Sequence, residues 1–173
     1  TELASLTRGS LSFPAGCSVN VPEPIRRLAE RMAERGIVPE LEVFDLGMVD
    51  YLHYLLDRGS LVRPLYVNVL LGSLGTLAAT PHNLAAVVRA LPADATWSAA
   101  GIGRFSLDVT GRALAMGGHV RVGLEDGLWL DADKTEPATN AALVERAARI
   151  AAALERPLAS PDEARRAIGL PVR

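Results

Sequence analysis

Short apolar runs alternate with amphipathic helical patterns along the whole chain. Five mainly apolar runs have the length of β-strands: residues 3–7, 41–44, 65–71, 96–100 and 119–124. Five segments that follow them carry apolar residues at helical spacing: residues 24–35, 48–57, 81–91, 104–114 and 140–154. The sequence therefore predicts strands that alternate with helices, an order typical of βαβ units on a parallel sheet.

Several predicted helices have recognisable first and last residues. Thr80 can cap the third helix, and Pro81 occupies a first-turn position where its missing N–H costs nothing. A last short helix begins at Ser160, with a Glu three positions later, and Gly169 closes it. Because no low-complexity linker interrupts the pattern, we expect a single domain over residues 1–173.

Charged residues occupy alternate positions of two predicted strands. Glu40 and Glu42 share one strand face, and His119, Arg121 and Glu125 share one face of the last strand and its end. An ionised group buried without a partner is strongly destabilising. Such groups are therefore expected to converge on each other, on a metal or on a charged ligand.

Two parallel architectures compete for this pattern: an open doubly wound sheet and part of a (β/α)₈ barrel. A barrel lumen collects inward side chains near the carboxyl ends of its strands, whereas an open sheet would scatter them under different helices. The pattern therefore favours the barrel. The alternative for the last strand alone is the solvated face of an antiparallel edge strand with idle salt bridges.

Composition argues against several classes of protein. Apolar residues make up 49% of the 173 residues, and the formal net charge is −2, which argues against a nucleic-acid or anionic-membrane surface. Cys17 is the only cysteine, which excludes an intrachain disulfide and indicates a reducing cytoplasm. No apolar stretch approaches the roughly 20 residues of a membrane span. Because the chain begins with Thr1, we expect a preceding segment to be missing.

Four segments carry a resemblance to a known family: Ser-Leu-Thr-Arg-Gly-Ser at 5–10, Pro-Glu-Leu-Glu-Val-Phe-Asp at 39–45, Trp-Ser-Ala-Ala-Gly-Ile-Gly-Arg at 97–104 and Gly-Gly-His-Val-Arg-Val-Gly-Leu-Glu-Asp at 117–126. In these segments the sequence resembles the β-keto acid cleavage enzymes, which include the 3-keto-5-aminohexanoate cleavage enzymes. The resemblance implies a zinc-bearing (β/α)₈ barrel in a homo-oligomer, a tetramer. It also implies condensation of a β-keto acid with acetyl-CoA and cleavage to acetoacetate and a new acyl-CoA.

The resemblance also assigns roles to individual residues. It implies that Glu125 is a zinc ligand and that Arg121 and Asp126 form a catalytic pair. An arginine is too basic to accept a proton at neutral pH, so Asp126 is the preferred group for proton transfer. Three further residues are implied to line the substrate pocket: Glu42, Ser5 and Thr7.

The sequence departs from the family pattern at the zinc site. The family's other two ligands form a His-x-His pair, whereas the only histidines are His53, His82 and His119, none of them so spaced. We expect structural or solvated roles for all three. The five predicted units correspond to strands four to eight, so the pair and the first strands are expected in a missing segment or a second chain. The remaining alternatives are another metal-dependent barrel aldolase or isomerase, and a non-catalytic assembly subunit.

Overall fold

A computed structural model describes residues 1–13 and 16–172 as an α/β fold. Five parallel strands form the main sheet: β1 (Leu3–Thr7), β4 (Val38–Val43), β5 (Tyr66–Leu71), β6 (Thr96–Gly101) and β7 (His119–Val120). A separate antiparallel pair comprises β2 (Leu11–Phe13) and β3 (Gly16–Ser18). The described chain has these α-helices: α1 (Pro22–Glu34), α2 (Leu46–Asp57), α3 (Pro81–Ala90), α4 (Ser106–Ala115), α5 (Asn140–Ala153) and α6 (Pro161–Ala167). A 3₁₀ turn at Gly103–Phe105 precedes α4.

The predicted alternation of strands and helices on a parallel sheet is confirmed. The strand order β1-β4-β5-β6-β7 follows the chain order, with no reversal point. A doubly wound sheet would reverse its order where the second half begins, so the order disfavours the doubly wound alternative. Within the described residues, no helix has the length and apolar character needed to cross a bilayer.

The core lies between one face of the sheet and the helices. Leu41, Val67 and Ala99, on three adjacent strands, are fully buried, as are Leu52 of α2 and Leu84 of α3. Their alternation with polar neighbours places the apolar face against the helices that contact these strands. Complete burial of a Leu or Val side chain contributes about 1.5–3 kcal/mol, so this layer is the main source of stability.

The predicted helix boundaries are largely confirmed. The Thr80 hydroxyl accepts a hydrogen bond from the backbone N–H of Asn83 at 3.2 Å, and Ser160 and Glu163 form a capping box. Gly36 follows the end of α1 with φ 64°, a left-handed conformation that a glycine adopts without strain. The segment between the first predicted strand and the first predicted helix contains the β2–β3 pair, which the sequence analysis did not predict. Pro14, Ala15 and Arg173 lie outside the described residues.

The last strand is shorter than predicted, and this corrects the face assigned to Glu125. β7 ends at Val120, although the Arg121 N–H still donates to the Ala99 carbonyl at 3.1 Å. Beyond it, the N–H groups of Asp126 and Gly127 both donate to the Gly123 carbonyl at 3.1 Å, which forms a turn. Strand alternation therefore does not extend to Glu125, because the backbone has already left the sheet.

Candidate active site

A chain of hydrogen bonds crosses the polar face of the sheet. The Ser5 hydroxyl donates to Glu40 at 2.9 Å, and the Asn68 amide donates to the other oxygen of Glu40 at 2.8 Å. The Ser98 hydroxyl donates to the Asn68 carbonyl oxygen at 3.1 Å and lies 3.0 Å from the Tyr66 hydroxyl. Asn68 and Ser98 are fully buried, so these bonds compensate the loss of water. This hydrogen-bonded chain joins side chains of β1, β4, β5 and β6 on one face of the sheet.

A second cluster lies at the carboxyl ends of the same strands, and Arg121 is its centre. The Arg121 guanidinium donates to both oxygens of Asp126, at 2.9 and 3.3 Å, and to Glu42 at 3.5 Å. Thr7 donates to the second oxygen of Glu42. Glu40 lies 3.9 Å from the guanidinium and connects this cluster to the hydrogen-bonded chain. The structure thus brings together the predicted residues from three separate segments of the sequence.

Glu125 contacts this cluster from outside. Its carboxylate accepts a hydrogen bond from Arg121 at 2.6 Å, but its side chain is 83% exposed, against 4% for Asp126. The turn that begins at Gly123 therefore directs Asp126 inward and Glu125 towards solvent. Of the two carboxylates that follow Leu124, Asp126 alone is in a shielded environment.

Burial sets the protonation chemistry of the central pair. Burial raises the pKa of the Asp126 carboxyl above its ordinary value, and the hydrogen bond and charge of Arg121 only partly oppose this. Burial acts to lower the pKa of Arg121, but its hydrogen bond to Asp126 and the surrounding carboxylates raise it overall. The pair therefore joins a permanent cation to a carboxyl group that is easier to protonate than a solvated aspartate.

Arg8 is a buried cation that the sequence did not single out. It follows β1 directly, is 2% exposed, and its Nε donates to the Met48 carbonyl at 3.4 Å. Its two terminal guanidinium nitrogens have no hydrogen-bond partner among the described residues. Burial lowers the pKa of Arg8 to about 9, while the negative charge of Glu42 opposes the shift. Arg8 thus stays protonated at neutral pH beside the site.

The histidines are not members of the Arg121 cluster. His53 is hydrogen-bonded to the Ala90 carbonyl at 2.9 Å, and His119 begins β7, as predicted. Burial and the charge of Arg156 lower the pKa of His119. The described residues include no group of three or more His, Cys, Asp or Glu side chains arranged to hold a metal ion. Glu125 and its neighbours therefore do not form a zinc site by themselves.

A cavity of about 610 Å³ adjoins the cluster, between the loop that follows β6 and the loop that follows β7. The Gly103 N–H donates to the Asp126 carbonyl at 2.5 Å and connects the two loops at the cavity wall. Glu125 and Asp126, which are both paired with Arg121, line the cavity. A concave space of this size beside a shielded carboxyl is a typical small-molecule site.

Sequence reasoning missed several members of the site. Tyr66 and Ser98 are uncharged, so the argument from buried charges did not identify them. Both lie on the sheet face that carries Asn68. Tyr66 lies opposite Thr96, and Ser98 lies opposite Asn68. Once the strands are aligned, these positions follow from the alternation of side chains between the two faces. Arg8 was missed because a lone arginine after a strand commonly indicates a solvated loop.

Comparison with known proteins reveals a family relationship. A profile of the β-keto acid cleavage enzymes matches residues 1–170. The 3-keto-5-aminohexanoate cleavage enzyme of Fusobacterium nucleatum is 36% identical over 170 residues, which are 98% of this chain and 61% of that protein. The 3-oxoadipate:acetyl-CoA acetyltransferase of Cupriavidus necator is 37% identical over 173 residues, with the same 98% and 61% coverage. The chain thus spans about 61% of the length of these curated relatives.

The fold is also similar to solved structures. The apo structure of ObcA superposes with a TM-score of 0.81 at 20% sequence identity, over 98% of this chain and 44% of that chain. The binary complex of ObcA with oxaloacetate gives a TM-score of 0.82 at 19% identity. At this identity the likeness concerns the fold alone.

Proposed function

The chain belongs to the β-keto acid cleavage enzyme family, and on that basis we propose that it carries part of the active site of an acetyl-CoA-dependent β-keto acid cleavage enzyme. The observation that carries the proposal is the position of the Arg121 guanidinium between Asp126 and Glu42 at the carboxyl ends of the strands. In a (β/α)₈ barrel, catalytic groups lie at this end. We also propose that the five parallel strands are strands four to eight of such a barrel.

The proposed reaction exchanges acyl groups between a β-keto acid and acetyl-CoA. Asp126 accepts a proton from C2 of the β-keto acid, and Arg121 stabilises the charge that develops on the adjacent oxygen. C2 then bonds to the acetyl carbon and CoA leaves as a thiolate. The thiolate attacks the original keto carbon, the C2–C3 bond breaks, and Asp126 returns its proton to C2. The products are acetoacetate and a new acyl-CoA, so all atoms and charges balance.

The environment of each residue supports its assigned role. Asp126 is shielded and its pKa is raised, which suits a group that must take up and return a proton. Glu42 is fixed between Thr7 and Arg121, where it can contact a polar group of the substrate. Ser5 orients Glu40 rather than pointing to open space, so its contribution to substrate binding acts through that carboxylate.

We further propose zinc as a cofactor, with Glu125 as the one ligand that this chain supplies. Glu125 is the exposed carboxylate of the cluster and is therefore accessible to a metal held by ligands from outside the chain. A His-x-His pair in a preceding segment or a second chain would complete the site. When bound, zinc would act as a Lewis acid on the keto oxygen. A cytoplasmic homo-oligomer, a tetramer, is proposed on the resemblance alone.

The proposal is tested on the protein assembled with the proposed segment or second chain that carries the His-x-His pair. This enzyme is mixed with acetyl-CoA and either 3-oxoadipate or 3-keto-5-aminohexanoate, with and without Zn²⁺. Acetoacetate and new acyl-CoA are measured by mass spectrometry. Asp126→Asn keeps the size of the side chain but removes the proton acceptor, so turnover should fall by roughly 10²-fold or more. Arg121→Lys should also lose turnover while the zinc content stays the same, because lysine lacks the fork of donors.

Three outcomes would count against the proposal. Acyl exchange that persists in Asp126→Asn would remove the role of this carboxyl. Cleavage of the β-keto acid without acetyl-CoA would indicate a metal-dependent aldolase or isomerase. Product formation by none of the preparations, together with stable association with a longer family member, would indicate an assembly subunit.

A further inference from the structure

The cavity between the loops after β6 and β7 has a lining unlike that of the Arg121 cluster. Large apolar side chains that are partly exposed surround it, among them Leu107 (49%), Leu128 (63%) and Trp129 (39%). Exposed apolar residues are ordinary when scattered, but a group around one concavity marks a binding site. Because these side chains remain partly exposed, a ligand in the cavity can contact them.

Three cationic side chains line the same cavity: Arg104, Lys134 and Arg146. The Arg104 guanidinium lies over the Phe105 ring, 4.8 Å from its centre, and Arg146 donates to the Leu130 carbonyl. Among the described residues, neither Arg104 nor Lys134 has an ion-pair partner. These cations can therefore bind an anionic ligand without first losing an existing ion pair.

The carboxylates of the lining are all engaged elsewhere. Asp108 is paired with Arg112 at 2.9 Å, and Glu125 and Asp126 are paired with Arg121. The remaining carboxylate, Asp131, accepts hydrogen bonds from the backbone N–H groups of residues 135 and 136 in its own loop. The lining thus combines available cations and an aromatic ring with carboxylates that already have partners.

We propose that this cavity binds the nucleotide end of acetyl-CoA, with the phosphates at Arg104 and Lys134 and the adenine against Trp129. An exposed indole offers a face on which a purine ring can stack, and Arg and Lys are the usual partners of phosphate oxygens. The loops after the last two strands are also a frequent phosphate site in (β/α)₈ barrels. This inference rests on the proposed function, which supplies acetyl-CoA as the ligand.

The cavity also reaches the residues that are proposed to react, since Asp126 and Glu125 are part of its lining. Asp126 lines the cavity, and its backbone carbonyl accepts a hydrogen bond from the Gly103 N–H of the other loop. A nucleotide bound at Arg104 and Lys134 would place the thioester near Asp126, which lines the same cavity and is paired with Arg121. In this arrangement the loop residues bind the nucleotide, and the residues at the strand ends carry out the reaction.

The test compares the binding of CoA and of pantetheine, which lacks the nucleotide, by isothermal titration calorimetry. The double variant Arg104→Gln, Lys134→Gln should bind CoA roughly tenfold or more weakly and pantetheine unchanged, because two charged contacts are lost. Arg89→Gln is the matched control, since Arg89 is an exposed cation on α3 away from the cavity. CoA should also quench the fluorescence of the wild type but not that of Trp129→Leu.

The outcomes separate this inference from the proposed function. Equal weakening of CoA and pantetheine, no change in the double variant, or no CoA binding at all would overturn the nucleotide site. If Trp129 is shielded without CoA in a concentration-dependent manner, a second copy of the chain covers the cavity and the inference is wrong. CoA binding that depends on Arg104 and Lys134, without acyl exchange, would support the site while refuting the reaction. Exchange abolished by Asp126→Asn but insensitive to the double variant would do the reverse.

Discussion

Replacing Arg121 with methionine should lower the free energy of unfolding by about 3–4 kcal/mol at neutral pH. The change keeps a long apolar stem but removes the only guanidinium that contacts Asp126, Glu42 and Glu40 among the described residues. Asp126 is 4% exposed and Glu42 is 13% exposed, so water can replace the lost partner only in part. Breaking a buried ion pair on one side typically costs about 3–5 kcal/mol.

Proton uptake by Asp126 limits the predicted loss in the free energy of unfolding. An aspartic acid with an ordinary pKa near 3.9 can be neutralised at pH 7 for about 4 kcal/mol, so a larger penalty would be avoided by proton uptake. Loss of Arg121 raises the pKa of Asp126 in the folded state further above its unfolded value. Between the pKa of Asp126 in the unfolded chain and its higher pKa in the folded variant, the folded variant binds more protons. Its stability therefore falls as the pH rises through this range and recovers as the pH falls.

Urea unfolding of the wild type and the variant at a series of pH values measures the effect. Glu125→Gln is the control, because it removes an exposed partner of Arg121 and should change stability by at most about 1 kcal/mol. The double variant Arg121→Met, Asp126→Asn should be more stable than the sum of the two single changes predicts, since the orphaned charge is gone. A deficit independent of pH, or additive effects in the double variant, would refute the electrostatic reasoning.

Two further substitutions test the packing around the site. Gly118→Ala should destabilise the chain by about 1–3 kcal/mol in thermal or urea unfolding, because its Cβ would lie 2.2 Å from the Trp97 ring. Gly111→Ala in α4, where a Cβ has open space, should be neutral or stabilising by up to about 1 kcal/mol, and equal effects at both positions would contradict the packing account. Arg8→Met should raise stability by about 1–4 kcal/mol, since it removes a buried cation whose terminal nitrogens have no partner in the described chain. A clear loss of stability in Arg8→Met would instead show that an anion compensates Arg8.

The sequence predicted the parts of the molecule that local patterns control. Alternation placed Glu40 and Glu42 on one face of β4, and hydrophobic spacing gave each parallel strand its following helix. Capping residues at Thr80 and Ser160 fixed two helix starts, because their hydrogen bonds involve only near neighbours. These features depend on residues within one turn or one strand.

Features that depend on distant residues were not predictable in the same way. The end of β7 at Val120 depends on the turn at Gly123, which the apolar pattern up to Leu124 did not reveal. The shielding of Asp126 and the exposure of Glu125 both follow from that turn. Family resemblance had paired Arg121 with Asp126, and the structure adds that Arg121 also contacts Glu42, which lies 79 residues earlier on β4.

The hydrogen-bonded chain from Ser5 to Ser98 also selects a single alignment of the strands. Two of its bonds, Ser5 to Glu40 and Ser98 to Asn68, join residues directly opposite each other on neighbouring strands. A slip of one residue would turn Glu40 into the helix layer and leave Asn68 without its partners. Apolar strands alone would tolerate such sliding. Substitutions that make this face uniformly hydrophobic would therefore yield a mixture of strand alignments, even where they increase the buried apolar area.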